Sequence, residues 1–179
     1  MSYLRGGQLL RVDLSSGKIE KEPTSHYQDL WLGGRGFNSR ILYEELEVGV
    51  DPMSPQNVLM FSIGPFTGTM VPGSGRVEVA AKSPASGIQG MSNMGGYWGP
   101  EFKYAGYDSL IIKGRAPKPV YIAIYNDRVE IKDANGIWGL DPYRTQDAIR
   151  EELNSPEAEV LCIGPAGENL VTYASVQTR

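Results

Sequence analysis

The chain has 179 residues and a formal net charge of −4, from 17 basic and 21 acidic residues. That length allows one sizeable hydrophobic core, or a core shared by two similar halves. The acidic balance argues against a nucleic-acid groove and an anionic membrane surface, because both require clustered lysine and arginine. The single cysteine, Cys162, excludes an intramolecular disulfide and any cysteine-held iron–sulfur or zinc site built from this chain alone.

The N-terminal segment, residues 1–17, contains no apolar run long enough for a signal peptide or a transmembrane helix. We therefore expect a cytoplasmic protein with neither a membrane partner nor a nucleic-acid partner.

The first half of the chain reads as a hairpin, a helix and a strand. Residues 8–13 and 18–22 alternate on either side of a Ser-Ser-Gly turn, which is typical of a β-hairpin. Apolar residues spaced four apart predict a helix over residues 36–46. Residues 58–63 form an apolar run that predicts a strand leading into Gly64-Pro65.

The second half repeats this order. Residues 119–125 and 128–132 predict a hairpin, residues 143–153 a helix, and residues 160–163 a strand leading into Gly164-Pro165. The repetition indicates an internal duplication. Chance would give the same order, because hairpins followed by helices are common.

Two further strands are predicted between the halves, over residues 76–82 and 107–113. Hairpins favour antiparallel pairing, so the sequence predicts an α+β fold in which antiparallel sheet dominates.

The usual catalytic motifs are absent. No P-loop sequence occurs, and the glycines of residues 33–36 lack the spacing of a dinucleotide-binding fingerprint. His26 is the only histidine and lies in a polar run, which is typical of a surface loop. Cys162 lies in an apolar run, where an inert buried thiol is expected. The side chains of this chain therefore do not suffice for catalysis by themselves.

The most informative segment is residues 58–100, which holds nine of the 22 glycines and only three charged residues. Bare backbone brought close to a large bound group explains this composition, with Arg76 as one buried, fixed positive charge. Adjacent glycines at 95 and 96 permit close approach of a ligand, and Tyr97 and Trp98 would supply a flat apolar wall. The alternative is a glycine-rich sheet corner capped by the two aromatic rings.

Four strings make the chain resemble the N-terminal domain of the aldehyde ferredoxin oxidoreductase family, the tungsten-pterin enzymes. The strings are GGRGFNSRILYEEL at 33–46, IGPFTGTMVPGSGRVEVAAKSP at 63–84, MSNMGGYWGPEFKYAGYDSLIIKG at 91–114 and IGPAGENLV at 163–171. The resemblance covers nearly the whole chain.

The resemblance implies duplicated halves that form two packed sheets, on which a tungsten (or molybdenum) bis-pterin cofactor lies. Arg76 matches the family's arginine between the pterin and a 4Fe–4S cluster. Asn93 matches the residue whose backbone carbonyl helps to bind the magnesium ion that bridges the pterin phosphates. The implied cofactor-binding set is completed by Met94, Gly95 and Gly96, and no catalytic side chain is expected.

Family members are much longer than this chain, and their cluster cysteines and substrate pocket would lie beyond it. We therefore expect residues 1–179 to be a single pterin-cofactor base domain: an isolated domain, a truncated reading frame or one piece of a split enzyme. Its partners would be the remaining domains and ferredoxin, and it would be inactive alone. The alternative is a stand-alone, non-catalytic interaction or assembly module. The substrate stays open, because aldehyde oxidation and aromatic acyl-CoA reduction both occur in the family.

Overall fold

The computed structural model describes residues 4–178. Its strands are β1 (Gln8–Asp13), β2 (Lys18–Pro23), β3 (Val58–Ile63), β4 (Val77–Lys82), β5 (Gln89–Met94), β6 (Tyr107–Lys113), β7 (Val120–Tyr125) and β8 (Arg128–Asp133). Its helices are α1 (Arg35–Glu45), α2 (Trp98–Tyr104), α3 (Pro142–Glu152) and the short α4 (Pro165–Glu168), with a 3-10 turn at Thr24–His26. No helix among these residues is long and apolar enough to cross a membrane.

Six strands form the main sheet in the order β2-β1-β6-β3-β4-β5. Every pair is antiparallel except β1 with β6, which run parallel. The strand β5 lies at one edge of this sheet, next to β4.

Each face of the main sheet carries its own apolar core. On one face, α1 packs Phe37 and Ile41 against buried side chains that include Leu9, Met60 and Ala80. On the other face, Phe61 and Val77 pack with Phe102 of α2 and with the second sheet. Side chains alternate between the faces of a strand, so successive residues of β4 belong to different cores.

The second sheet is the antiparallel pair β7–β8. Its apolar side chains Ile122, Ile124, Val129 and Ile131 pack against the second core, so the two sheets form adjacent layers. An apolar cavity of about 650 Å³ lies between them, lined by residues that include Phe61, Trp98, Ile122, Ile149 and Leu161. The helix α3 begins after Asp141, whose Oδ1 accepts hydrogen bonds from the backbone N–H groups of residues 143 and 144.

The predicted α+β class with two packed, mainly antiparallel sheets is confirmed. The hairpin-then-helix order also recurs, as β1–β2–α1 and as β7–β8–α3. One predicted element is wrong: residues 160–163 form no strand and make one isolated bridge, between Cys162 and Gln177. Among residues 4–178, no strand of the second sheet lies beside residues 160–163. These residues therefore form no β-ladder despite their apolar pattern.

Candidate functional site

The pairing of β4 with β5 brings two predicted site residues into contact. Arg76 immediately precedes β4, and Asn93 lies near the end of β5, where it pairs in register with Glu78. The Arg76 guanidinium donates a hydrogen bond to Asn93 Oδ1. These residues are 17 positions apart in the sequence. The antiparallel pairing of β4 with β5 brings them side by side.

The polar surface extends from Asn93 toward the start of α1. Directly paired residues of an antiparallel sheet share a face, so Glu78 and Asn93 lie on the α1 side. Arg35, the first residue of α1, donates a hydrogen bond to Glu78 Oε1 at 3.3 Å. The buried Asn38 donates from Nδ2 to the Glu78 carbonyl oxygen at 3.1 Å. Glu78 Oε2 is buried and has no hydrogen-bond partner among residues 4–178.

The loop between β3 and β4, residues 64–76, is held from beneath by α2. Lys103 Nζ donates hydrogen bonds to the carbonyl oxygens of Gly64, at 3.3 Å, and Pro65. Tyr104 Oη donates to the Gly68 carbonyl oxygen at 2.6 Å. Burial lowers the pKa of Lys103, against an opposing effect of the Asp108 carboxylate.

Gly95, directly after β5, leaves open space near Asn93. A Cβ atom added at Gly95 would meet no atom within 4 Å, so the space there is free for a bound group. Gly96 has a φ of +91°, a conformation that side-chain-bearing residues rarely adopt. The Gly96 carbonyl oxygen lies 2.9 Å from where a Cβ atom of Gly75 would be, so the loop and the glycine pair are in close contact.

Several expectations about this segment need correction. Arg76 is exposed rather than buried, because it lies just before β4 beside β5, the edge strand of the main sheet. Tyr97 and Trp98 do not form one wall: Tyr97 is 73% exposed, whereas Trp98 stacks on Phe102 in the second core, 4.8 Å between ring centroids. The helix α2 begins at Trp98 and turns its ring inward.

The implied cofactor residues divide between the two faces of the sheet. The Met94 side chain packs against the second core, opposite to Asn93, so only the Met94 backbone faces the site. Three further residues at or beneath this surface were not predicted from the sequence: Arg35, Glu78 and Thr67. Their only signal was membership of the strings GGRG, GRVE and GPFTGT.

The other reactive side chains lie elsewhere. His26 is exposed and its Nδ1 lies 3.2 Å from Glu22 Oε1. Cys162 is partly buried, and burial raises the pKa of its thiol, which agrees with an inert cysteine. Within residues 4–178, no group of three or more histidine, cysteine or acidic side chains could hold a metal ion.

The residues present fit the implied bis-pterin group. An exposed guanidinium suits phosphate oxygens or a polar ring edge, and the open Gly95 position leaves backbone accessible to a large ligand. Backbone carbonyl oxygens such as that of Asn93 are the hard ligands that magnesium prefers.

Comparison with known proteins identifies the family of this chain. Residues 9–179 match the N-terminal domain of aldehyde ferredoxin oxidoreductase. The chain therefore belongs to the aldehyde ferredoxin oxidoreductase family, which is a family of oxidoreductases.

Several curated relatives carry tungsten in their names. The tungsten-containing aldehyde ferredoxin oxidoreductase of Pyrococcus furiosus is 45% identical over 175 residues, which cover 97% of this chain and 29% of that protein. The corresponding enzyme of Thermococcus kodakarensis is 43% identical over the same coverage. The aliphatic sulfonate oxidoreductase WOR-like subunit of Pyrococcus furiosus is 38% identical, with 99% of this chain and 31% of that protein covered. The chain thus spans about 30% of the length of these relatives.

A solved structure shares the fold closely. The active-site complex BamBC of benzoyl coenzyme A reductase, solved with 1,5-dienoyl-CoA, matches with a TM-score of 0.96 and 44% identity. The match covers 99% of this chain and 27% of that one.

Proposed function

We propose that residues 1–179 are the base domain on which a tungsten (or molybdenum) bis-pterin cofactor lies in an oxidoreductase that acts on aldehydes. The observation that carries this proposal is the contact of Arg76 with Asn93 beside the open Gly95 position. A cation held at a fixed point next to bare backbone is suited to an anionic, ring-containing ligand.

Each residue of the site has a role in this proposal. Arg76 faces the pterin or its phosphates with its guanidinium. The Asn93 carbonyl oxygen would help to hold a magnesium ion that accompanies the cofactor phosphates. Met94, Gly95 and Gly96 present backbone to the cofactor, and Gly95 leaves room for it. When bound, the tungsten-pterin group would supply the two-electron chemistry, while this chain binds and orients it.

The complete activity requires more protein than this chain. The 4Fe–4S cluster, most of the substrate pocket and the contact with ferredoxin would belong to the remaining domains or subunits, and the whole would work in the cytoplasm. The relatives support this division, because the chain covers less than a third of each. The chain alone should be inactive.

Elemental analysis of the purified native protein for tungsten, molybdenum and iron, with the mass of what co-purifies, tests the proposal. Near-equimolar tungsten or molybdenum, with iron and a larger partner, is the expected result. Absence of metal from a complex that contains the remaining domains would overturn it. A stable, metal-free assembly with an unrelated partner would support the alternative of a non-catalytic interaction module.

A second candidate substrate class is aromatic acyl-CoA. The benzoyl coenzyme A reductase complex is as similar to this chain as the aldehyde enzymes are, at 44% against 45% identity. Turnover of short aldehydes against benzoyl-CoA by the native complex separates the two. Reduction of benzoyl-CoA without aldehyde oxidation would favour this second class.

A further inference from the structure

Arg76 is held at both ends by different residues. Thr67 Oγ1 donates a hydrogen bond to the Arg76 carbonyl oxygen at 3.3 Å, and Asn93 Oδ1 accepts one from the guanidinium. We infer that Thr67 and the Asn93 side chain are positioning residues, which fix the direction of the Arg76 guanidinium before any ligand binds. This inference rests on the proposed function only in taking Arg76 as a ligand-facing cation.

Thr67 links the two ends of the loop between β3 and β4. Its side chain is 4% exposed, and its hydroxyl is used in both directions. Oγ1 accepts from the backbone N–H of Gly64 at 3.2 Å, where the loop begins, and donates to Arg76, where it ends. One buried hydroxyl therefore closes the loop immediately before β4.

The helix α2 keeps this closed loop from moving as a body. Its Lys103 and Tyr104 side chains bond the carbonyl oxygens of Gly64, Pro65 and Gly68. At the start of α2, a Cβ atom at Gly99 would lie 2.7 Å from Val77 Cγ2, so the helix packs directly on β4. The loop is thus fixed to the same helix at several points.

Fixing an exposed arginine in advance has a physical benefit. An arginine side chain loses rotamer freedom when it binds a ligand, and that loss weakens binding. An arginine whose backbone carbonyl oxygen and guanidinium both make hydrogen bonds has already lost part of that freedom. The Asn93 side chain therefore acts on Arg76, separately from the Asn93 carbonyl oxygen proposed for magnesium.

Nuclear magnetic resonance of the purified chain without cofactor tests this inference. The readout is the rate of rotation within the Arg76 guanidinium, from Nε and Nη signals assigned by their loss in Arg76→Lys. Asn93→Ala removes a hydrogen bond of the guanidinium and should speed this rotation about tenfold. Thr67→Val frees only the Arg76 backbone carbonyl and should speed the rotation by a smaller factor. Thr67→Ser keeps the hydroxyl and should restore the wild-type rate.

Thr145→Val is the matched control, because Thr145 is a buried threonine, 6% exposed, on α3. It should leave the Arg76 signals unchanged even where it lowers stability. Tyr104→Phe removes the exposed hydroxyl that bonds the Gly68 carbonyl oxygen in the loop between β3 and β4, and it supplies a second variant if Thr67→Val does not fold. Tyr104→Phe should also speed the rotation of the Arg76 guanidinium.

Unchanged Arg76 rotation in both Asn93→Ala and a folded Thr67→Val would overturn the inference, as would failure of Thr67→Ser to restore the rate. In metal-loaded native protein, the same variants should shift the midpoint potential of the metal, and Thr145→Val should not. A native complex without metal would refute the proposed function but would leave the rotation measurement valid.

Discussion

Two glycines near Arg76 illustrate how residue-scale geometry separates binding from folding. Gly95 faces open space and has no positive φ, so a methyl group there meets nothing in this chain. Gly99 is buried, and a methyl group there would overlap Val77 and approach the carbonyl oxygen of Gly75. Glycine at 99 is therefore required by packing, whereas at 95 packing does not require it.

We expect Gly95→Ala to change the free energy of unfolding of the chain by less than about 0.5 kcal/mol and to reduce tungsten or molybdenum content of the native complex. Gly99→Ala should lower that free energy by about 1–3 kcal/mol, because the added methyl overpacks the contact of α2 with β4. Urea unfolding and metal analysis on both variants check this pair. Normal metal content in Gly95→Ala would contradict the role assigned to Gly95.

At the scale of elements, a buried polar network joins α1 to the main sheet. Ser62 Oγ donates to Asn38 Oδ1 at 2.6 Å and lies 2.5 Å from Ser109 Oγ. Asn38 Nδ2 donates to the Glu78 carbonyl oxygen. All three polar side chains are fully buried, so α1 is fixed in register over β3, β4 and β6.

Asn38→Ala should lower the free energy of unfolding by about 1–3 kcal/mol, because it removes two hydrogen bonds from a buried network, those to Ser62 and to the Glu78 carbonyl oxygen. Ser39→Ala, one position along α1, removes only an exposed hydrogen bond with Gln89 and should cost less than about 0.5 kcal/mol. Denaturant titration measures the free energy of unfolding of both variants and of the wild-type chain. Equal effects of the two substitutions would show that the network contributes nothing specific.

The hairpin β1–β2 carries an ion pair that gives stability a pH dependence. Arg11 Nε lies 2.7 Å from Glu22 Oε2. Burial alone would raise the pKa of Glu22, but the Arg11 hydrogen bond and charge and the His26 hydrogen bond outweigh it, so this pKa is lowered. A lowered folded-state pKa stabilises the fold above the ordinary value of 4.5, and this stabilisation is lost as the pH falls through the lowered pKa.

Glu22→Gln should therefore be less stable than the wild-type chain at pH 7, and the difference should shrink as the pH falls below about 4.5. Thermal unfolding from pH 7 to pH 3 measures it. Glu20→Gln on the same strand is the control, since Glu20 pairs only at the surface with Lys18. A difference between Glu22→Gln and wild type that is independent of pH would exclude an electrostatic origin.

At the scale of the whole molecule, the surface around the site is partly apolar, because several large apolar side chains near it are exposed. Met70 is 101% exposed, Tyr97 73%, and Val71 and Met91 46% each. Soluble monomers rarely expose a large contiguous apolar surface without a partner. Under the proposed function, the cofactor and the remaining protein would cover this surface.

The chain alone should self-associate through this face. Sedimentation velocity should show mass increasing with concentration, and Met70→Lys combined with Val71→Lys should reduce it. Val48→Lys, on the fully exposed residue that follows α1, should have no such effect. A monomer at every concentration, with residues 71–96 resistant to protease, would be the opposite outcome.

The elements that could be predicted from the sequence are those with a strong local pattern. Strand β3 has the predicted bounds, and α1, α3, β4 and the β7–β8 hairpin lie within one residue of theirs. Strand β5 was not predicted, because its glycine, serine and asparagine have low strand propensity and are held by pairing with β4. The segment at 160–163 has the opposite character: its pattern favours a strand, but no strand among residues 4–178 pairs with it.

The sequence by itself determined the family and the α+β class and predicted Arg76 and Asn93 as site residues, because these depend on local patterns and specific strings. The tertiary structure alone decided that these two side chains touch, that Trp98 belongs to the core, and that Thr67 holds the Arg76 backbone. Such contacts depend on strand register and on the position of α2 beneath the loop. Register and helix packing are set by the whole core, so no local stretch of sequence encodes them.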